Sequence, residues 1–143
     1  MELTELFAGE MQDIQISFDE RIEKFRVSIL YENGNLDLIL NPFDFTIFMD
    51  KIMSYSIYVE LISHLEDDVL NFYRIYSAIV SAIDYLISPT EIRTKIKNDK
   101  LVKVLEDLIQ SFISSKFGEQ SSIIWDLIRT EDIVIFKIES MEN

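Results

Sequence analysis

Up to Pro42 the apolar residues recur at every second position: Ile14, Ile16 and Phe18, then Phe25, Val27, Ile29 and Tyr31, then Leu36, Leu38 and Leu40. That is the period of a strand with one dry face, so strands are expected within residues 12–41. Asn33-Gly34 lies between the second and third runs. Both residue types tolerate the positive φ of a type I′ turn, so the pattern predicts a two-residue hairpin loop at 33–34. Counting outward sets Glu32 opposite Asn35, Tyr31 opposite Leu36, Ile29 opposite Leu38 and Val27 opposite Leu40. The large apolar residues then share one face. Arg26, Ser28 and Asp37 share the other, with Leu30 and Ile39 as its apolar exceptions. A hairpin alone is marginal in water, so the strand at 13–18 and a helical cover are needed to complete it.

At Asn41-Pro42 the period changes. Asn41 suits an N-cap, Pro42 the first helical position and Asp44 the positive end of the helix dipole, which predicts a helix to about Tyr55. From Ser56 to Ile87 the positions Val59, Ile62, Leu65, Val69, Phe72, Tyr76, Val80, Ile83 and Ile87 step by three or four. They predict one continuous helix of about 48 Å, with Leu61, Ile75 and Ile79 widening its apolar stripe. Ser88-Pro89-Thr90-Glu91 reads as a cap, an opening proline and a capping-box carboxylate, hence another helix start. Asn98-Asp99 caps again before Leu101, Val102, Leu105, Leu108, Ile109, Phe112 and Ile113, and Gly118 ends that helix. A short helix is expected over 122–129, packing through Ile124, Leu127 and Ile128. The β-branched stretch from Ile133 to Ile138 predicts a last strand returning to the N-terminal sheet. The expected fold is α+β and helix-rich, one domain over 1–143. It comprises an antiparallel β-meander at 12–41, a bundle of four to five helices over 42–130, and a strand at 133–138.

Composition narrows the class. Of 143 residues, 48% are hydrophobic, with only three Gly and two Pro, so a packed core rather than a disordered chain is expected. Absence of Cys removes disulfides and thiolate zinc sites and suits a reducing compartment. Met1-Glu2-Leu3-Thr4-Glu5 carries neither a basic leader nor an apolar core, and no long uncharged run follows. The expectation is a soluble, cytoplasmic protein without membrane attachment.

Thirteen basic against 26 acidic residues give a net charge of −13, which disfavours direct binding to nucleic acid, since that binding needs Lys and Arg to displace counterions. The charge is also lopsided. Arg93, Lys95, Lys97, Lys100 and Lys103 form a basic island in which Asp99 is the only acid. Such asymmetry favours oriented association: the island with a second copy, or the acidic remainder with a basic partner. A solvated helix face is the alternative use of the island.

Catalytic parts are scarce. There is one His, no Gly-x-Ser-x-Gly stretch, and Gly9, Gly34 and Gly118 are too scattered to cradle a phosphate. Glu60, His64 and Asp68 fall four apart, on one stripe of the expected long helix, but no second His supplies the other half of a di-iron site. No cofactor and no metal are expected, and an enzyme is disfavoured. The remaining candidates for contact are the paired acids Glu66-Asp67-Asp68, Glu106-Asp107 and Glu131-Asp132, which can imitate an array of phosphates, together with Trp125 as an aromatic anchor. Tyr55, Tyr58, Tyr73, Tyr76 and Tyr85 are assigned to core packing.

Two functions fit these features. The first is a non-enzymatic inhibitor or regulator whose acidic surface docks on a basic protein surface, such as that of a nucleic-acid-binding enzyme, and competes with the nucleic acid. The 23 isoleucines suggest an AT-rich coding sequence, in keeping with small acidic proteins of viruses and mobile elements. The alternative is a structural subunit of a homo- or hetero-oligomer, self-associating through the island at Arg93, Lys95, Lys97, Lys100 and Lys103.

Overall fold

The computed structural model describes residues 6–7, 9–85, 90–118 and 123–140. Among these residues are six strands in two antiparallel sheets and four helices, an α+β fold. The chain forms two compact units, Met1–Val69 and Leu70–Asn143.

The first unit contains β1 (Met11–Asp19), β2 (Lys24–Tyr31) and β3 (Gly34–Leu40), followed by α1 (Pro42–Met53) and α2 (Ser56–Ile62). The strands pair in chain order as the expected meander. Ile14 lies opposite Ile29, Ile16 opposite Val27 and Phe18 opposite Phe25. Alternation puts Ile14, Ile16, Phe25, Val27, Ile29 and Leu40 on the buried face. There the Phe25 and Phe45 rings stack with centroids 3.8 Å apart, tying the middle strand to α1. Asn41 caps α1 as expected, its side-chain oxygen accepting from the Asp44 N–H at 2.7 Å.

The hairpin register differs from the expected one by two residues. Tyr31 faces Gly34, Ile29 faces Leu36, Val27 faces Leu38 and Phe25 faces Leu40. The turn therefore falls on Glu32-Asn33. Of Asn33 and Gly34 only the glycine has positive φ, at 145°, so the mirror-image turn at 33–34 does not form. A shift of two preserves which side chains share a face, so the separation into dry and wet faces survives.

The continuous helix expected from Ser56 to Ile87 is broken. α2 ends at Ile62, and α3 (Asp67–Asp84) begins after a short connection. The Ser63 hydroxyl donates to the Glu60 carbonyl at 2.7 Å and the Leu65 N–H to the Ile62 carbonyl, tightening the chain out of α-geometry. Asp67 and Asp68 then occupy the first turn of α3, where the dipole favours them, instead of adding like charges to a helix interior.

The second unit holds most of α3, then β4 (Thr90–Lys95), α4 (Asp99–Phe117), β5 (Ile123–Thr130) and β6 (Ile133–Ser140), with sheet order β4-β6-β5. Three expectations are corrected here. Residues 90–95 are a strand, not a helix, because Thr90, Ile92 and Thr94 alternate with charged residues at period two; Ser88 and Pro89 lie outside the described residues. Residues 123–130 are also a strand, favoured by β-branched Ile123, Ile124, Ile128 and Thr130. The expected helical stretch over 42–130 thus contains two strands.

The last strand exists, but it pairs with β5 and β4 instead of returning to the N-terminal sheet. Thr130 and Ile133 are partners across Glu131-Asp132, with Glu131 at φ 57°. Closing this short loop costs far less entropy than reaching back to the meander. Val134, Phe136 and Ile138 fill the buried face of the second sheet, with the Trp125 ring 6.1 Å from that of Phe136. Asn98 caps α4 by accepting from the N–H groups of Lys100 and Leu101, and Gly118 follows its C-terminus at φ 75°. Arg129 of β5 donates to the carbonyls of Ile96 and Lys97 and pairs with Asp99.

Candidate functional site

The two units carry very different charge. Residues 1–69 hold fifteen acids and four bases, a net of −11; residues 70–143 hold eleven acids and nine bases, a net of −2. Nearly all of the excess therefore belongs to the first unit. Its acids include exposed Glu10, Glu23, Glu32, Asp37, Glu60, Glu66 and Asp67.

The wet face of the first sheet organises part of this charge. Gln15, Ser28 and Asp37 form one cross-strand row, and Ser17, Arg26 and Ile39 the next. Together with Glu66 they line a hollow of about 580 Å³. Arg26 is the one cation in it, and its Nε donates to Asp19 at 2.8 Å. That hydrogen bond, followed by one from the Arg21 N–H, holds the Asp19 carboxyl below the usual range. Asp37 and Glu66 have no ion-pair partner among the described residues. Beside them Leu30 and Ile39 are 41% and 52% exposed. The hollow thus combines unneutralised carboxylates, neutral donors and acceptors, and an apolar margin, a combination suited to a positively charged macromolecular surface.

The sequence-based candidates are dispersed. Glu66 and Asp67 lie exposed at the start of α3, and Asp68 follows them half-buried in its first turn. Glu106 and Asp107 both hold Lys103 on α4, at 3.4 and 3.2 Å, and their hydrogen bonds, Asp107 foremost, push that ammonium above its usual pKa. Asp132 pairs with Lys95 at 3.3 Å, and Glu131 forms the β5–β6 turn. Trp125 sits half-buried beside Phe136.

The basic island is no single helix face. Arg93 and Lys95 lie on β4, Lys97 in the following connection, and Lys100 and Lys103 on α4. Arg93 is neutralised by Glu91 at 2.7 Å. Lys97 and Lys100 also have interaction partners.

Glu60, His64 and Asp68 do not form a stripe, because the break after Ile62 places them on α2, in the connection and on α3. His64 instead reaches Asp13 of β1, Nε2 to Oδ1 at 3.2 Å. Among the described residues no group of three or more His, Asp or Glu is arranged to hold a metal ion, and no helix is long and apolar enough to cross a membrane.

Sequence reasoning missed the hollow on the first sheet and the outward face of the second. The alternation of Ser17, Arg26 and Ser28 signalled the former. The latter was hidden by assigning helices to 90–95 and 122–129. Comparison with protein-family models, with curated proteins and with solved structures finds no match to this chain.

Proposed function

We propose that this is a non-enzymatic binding protein whose first unit docks on a basic protein surface, and that the partner is one that handles nucleic acid, so that the carboxylates compete with phosphates for its cations. The observation that carries the reading is the concentration of charge, −11 of −13, in residues 1–69. A field of that density steers a cationic partner from beyond contact range, and the margin of Leu30 and Ile39 gives short-range burial once it arrives. Asp37, Glu66, Asp67 and Asp68 are the acids assigned to this contact, and Glu106, Asp107, Glu131 and Asp132 are secondary.

The test is affinity capture on the immobilised full chain from cells that produce it, with elution by salt and by duplex DNA. A DNA-displaceable basic protein is the expected outcome. Converting Asp37, Glu66, Asp67 and Asp68 to amides should weaken its binding by about tenfold or more, whereas the same change at Glu106, Asp107, Glu131 and Asp132 should alter it by less than about threefold. Salt-insensitive capture, or equal losses from the two sets, would refute the reading.

A further inference from the structure

The hairpin closes without the mirror-image turn that Asn33-Gly34 predicts: the loop falls on Glu32-Asn33, and Gly34 opens β3 opposite Tyr31. The pair is thereby left open to a reaction of its own. A peptide nitrogen that follows an asparagine can attack the side-chain amide carbon. The new carbon–nitrogen bond closes a cyclic succinimide, the bond to the amide nitrogen breaks, and the displaced proton leaves with ammonia. Water then adds to either ring carbonyl and opens the ring, giving aspartate or, with the chain rerouted through the side chain, isoaspartate. Both products carry a carboxylate where a neutral amide stood.

The loop meets what this step requires. Glu32, Asn33, Gly34 and Asn35 are all exposed. Among the described residues the Asn33 carboxamide has no hydrogen-bond partner to hold it away. A Cβ at position 34 would meet nothing within 4 Å, so no neighbouring atom blocks ring closure, and glycine itself offers no side chain to hinder the approach. Gly34 is also the first residue of its strand, where a ladder frays most readily. The other described asparagines lack this combination. Asn41 caps α1 and precedes Pro42, which has no N–H; Asn98 caps α4. Asn71 donates to the Lys95 carbonyl at 2.8 Å. Asn35 is paired with Leu30 and followed by the bulkier Leu36.

We propose that Asn33 is a modification site, converted through a succinimide with Gly34 to isoaspartate and aspartate. The inference is independent of the docking reading. Each conversion adds one negative charge to the unit that already holds −11 of the −13, so that charge grows with the age of the molecule. The isoaspartyl form also adds one backbone atom between Asn33 and Gly34. A one-residue slip of β3 would turn buried Leu40 outward, so the loop takes up the extra atom and the sheet keeps its pairing.

The test is incubation of the full chain for weeks in mildly alkaline buffer at body temperature, followed by ion-exchange chromatography and fragmentation of the tryptic peptide 27–51. The expected result is a more acidic species with the mass change of amide to acid at Asn33, isoaspartate exceeding aspartate, and a rate that rises with hydroxide concentration. Gly34→Ala should slow the conversion by at least about tenfold. Alanine at φ 145° strains the hairpin, so Asn33→Ser, which keeps the glycine, is the second variant and should abolish the acidic species with circular dichroism unchanged. An Asn33 that stays intact throughout overturns the proposal. So does conversion of Asn35 at an equal rate, or a product that is aspartate alone, which would mean direct hydrolysis without ring closure.

Discussion

The two sheets are built alike and finished differently. Each has three antiparallel strands and one face closed by a wholly buried aromatic, Phe25 in the first and Phe136 in the second. Their outer faces diverge. In the first, Gln15, Ser17, Ser28 and Asp37 surround an arginine already engaged by Asp19. In the second, isoleucines stand between charges many of which are paired within the unit, Arg93 with Glu91 and Lys95 with Asp132. The difference teaches that the inward positions of a strand specify folding, while the alternate positions are free to specify what the surface meets. Net charge acts across a Debye length of about 8 Å in physiological salt, whereas apolar side chains act only at contact.

The largest effects should come from the shared inner faces. Phe25→Ala and Phe136→Ala should each cost about 3–5 kcal/mol in urea denaturation. Hydrogen exchange should show the protection loss concentrated in the substituted unit; an even loss over both would mean one cooperative body and dissolve the comparison. Next come the helix caps, where the same residue type serves each unit. Asn41→Ala and Asn98→Ala should each destabilise by about 1 kcal/mol. Asn98 accepts from two N–H groups and Asn41 from one, so the second unit should lose more.

The smallest effect concerns pH. Asp19 is depressed below its ordinary value of 3.8 by the hydrogen bond from Arg26. Its contribution is therefore present above pH 3.8 and is lost as pH falls below that value through the depressed pKa. Urea midpoints measured between pH 5 and pH 2 should fall less steeply in Asp19→Asn than in the wild type. Equal slopes would remove Arg26–Asp19 as a distinguishing feature of the first sheet.

Legibility in the sequence followed the range of the interactions. The meander, the caps at Asn41 and Asn98 and the stop at Gly118 are set by neighbours along the chain, and each was readable. The hairpin register turned on whether Asn33 and Gly34 both adopted positive φ or the glycine alone did, a choice residue types leave open. In 56–87 the apolar period continued through Ser63 and His64 although the backbone did not, because buried Leu65 kept the spacing in a tightened turn. The second sheet was harder: β4 pairs with β6 some forty residues later, and its cap-like opening Ser-Pro-Thr-Glu imitated a helix start. Acid runs were visible, but not which were neutralised; Glu106 and Asp107 are held by Lys103, while Asp37 looked unremarkable and faces the hollow.

Arg129 ties together parts of the second unit that the backbone leaves far apart. From the edge strand β5 its guanidinium reaches the carbonyl of Lys97, 32 positions earlier, and the acid that opens α4. The guanidinium acts like a stay between mast and deck: a load on the strand is transmitted to the foot of the helix. Lysine in its place would keep the charge but offer a single point of attachment in place of a planar fork. Anything that seizes the outside of β5 should accordingly register at Lys100 and Lys103, on the far side of the stay, before it disturbs the packed interior.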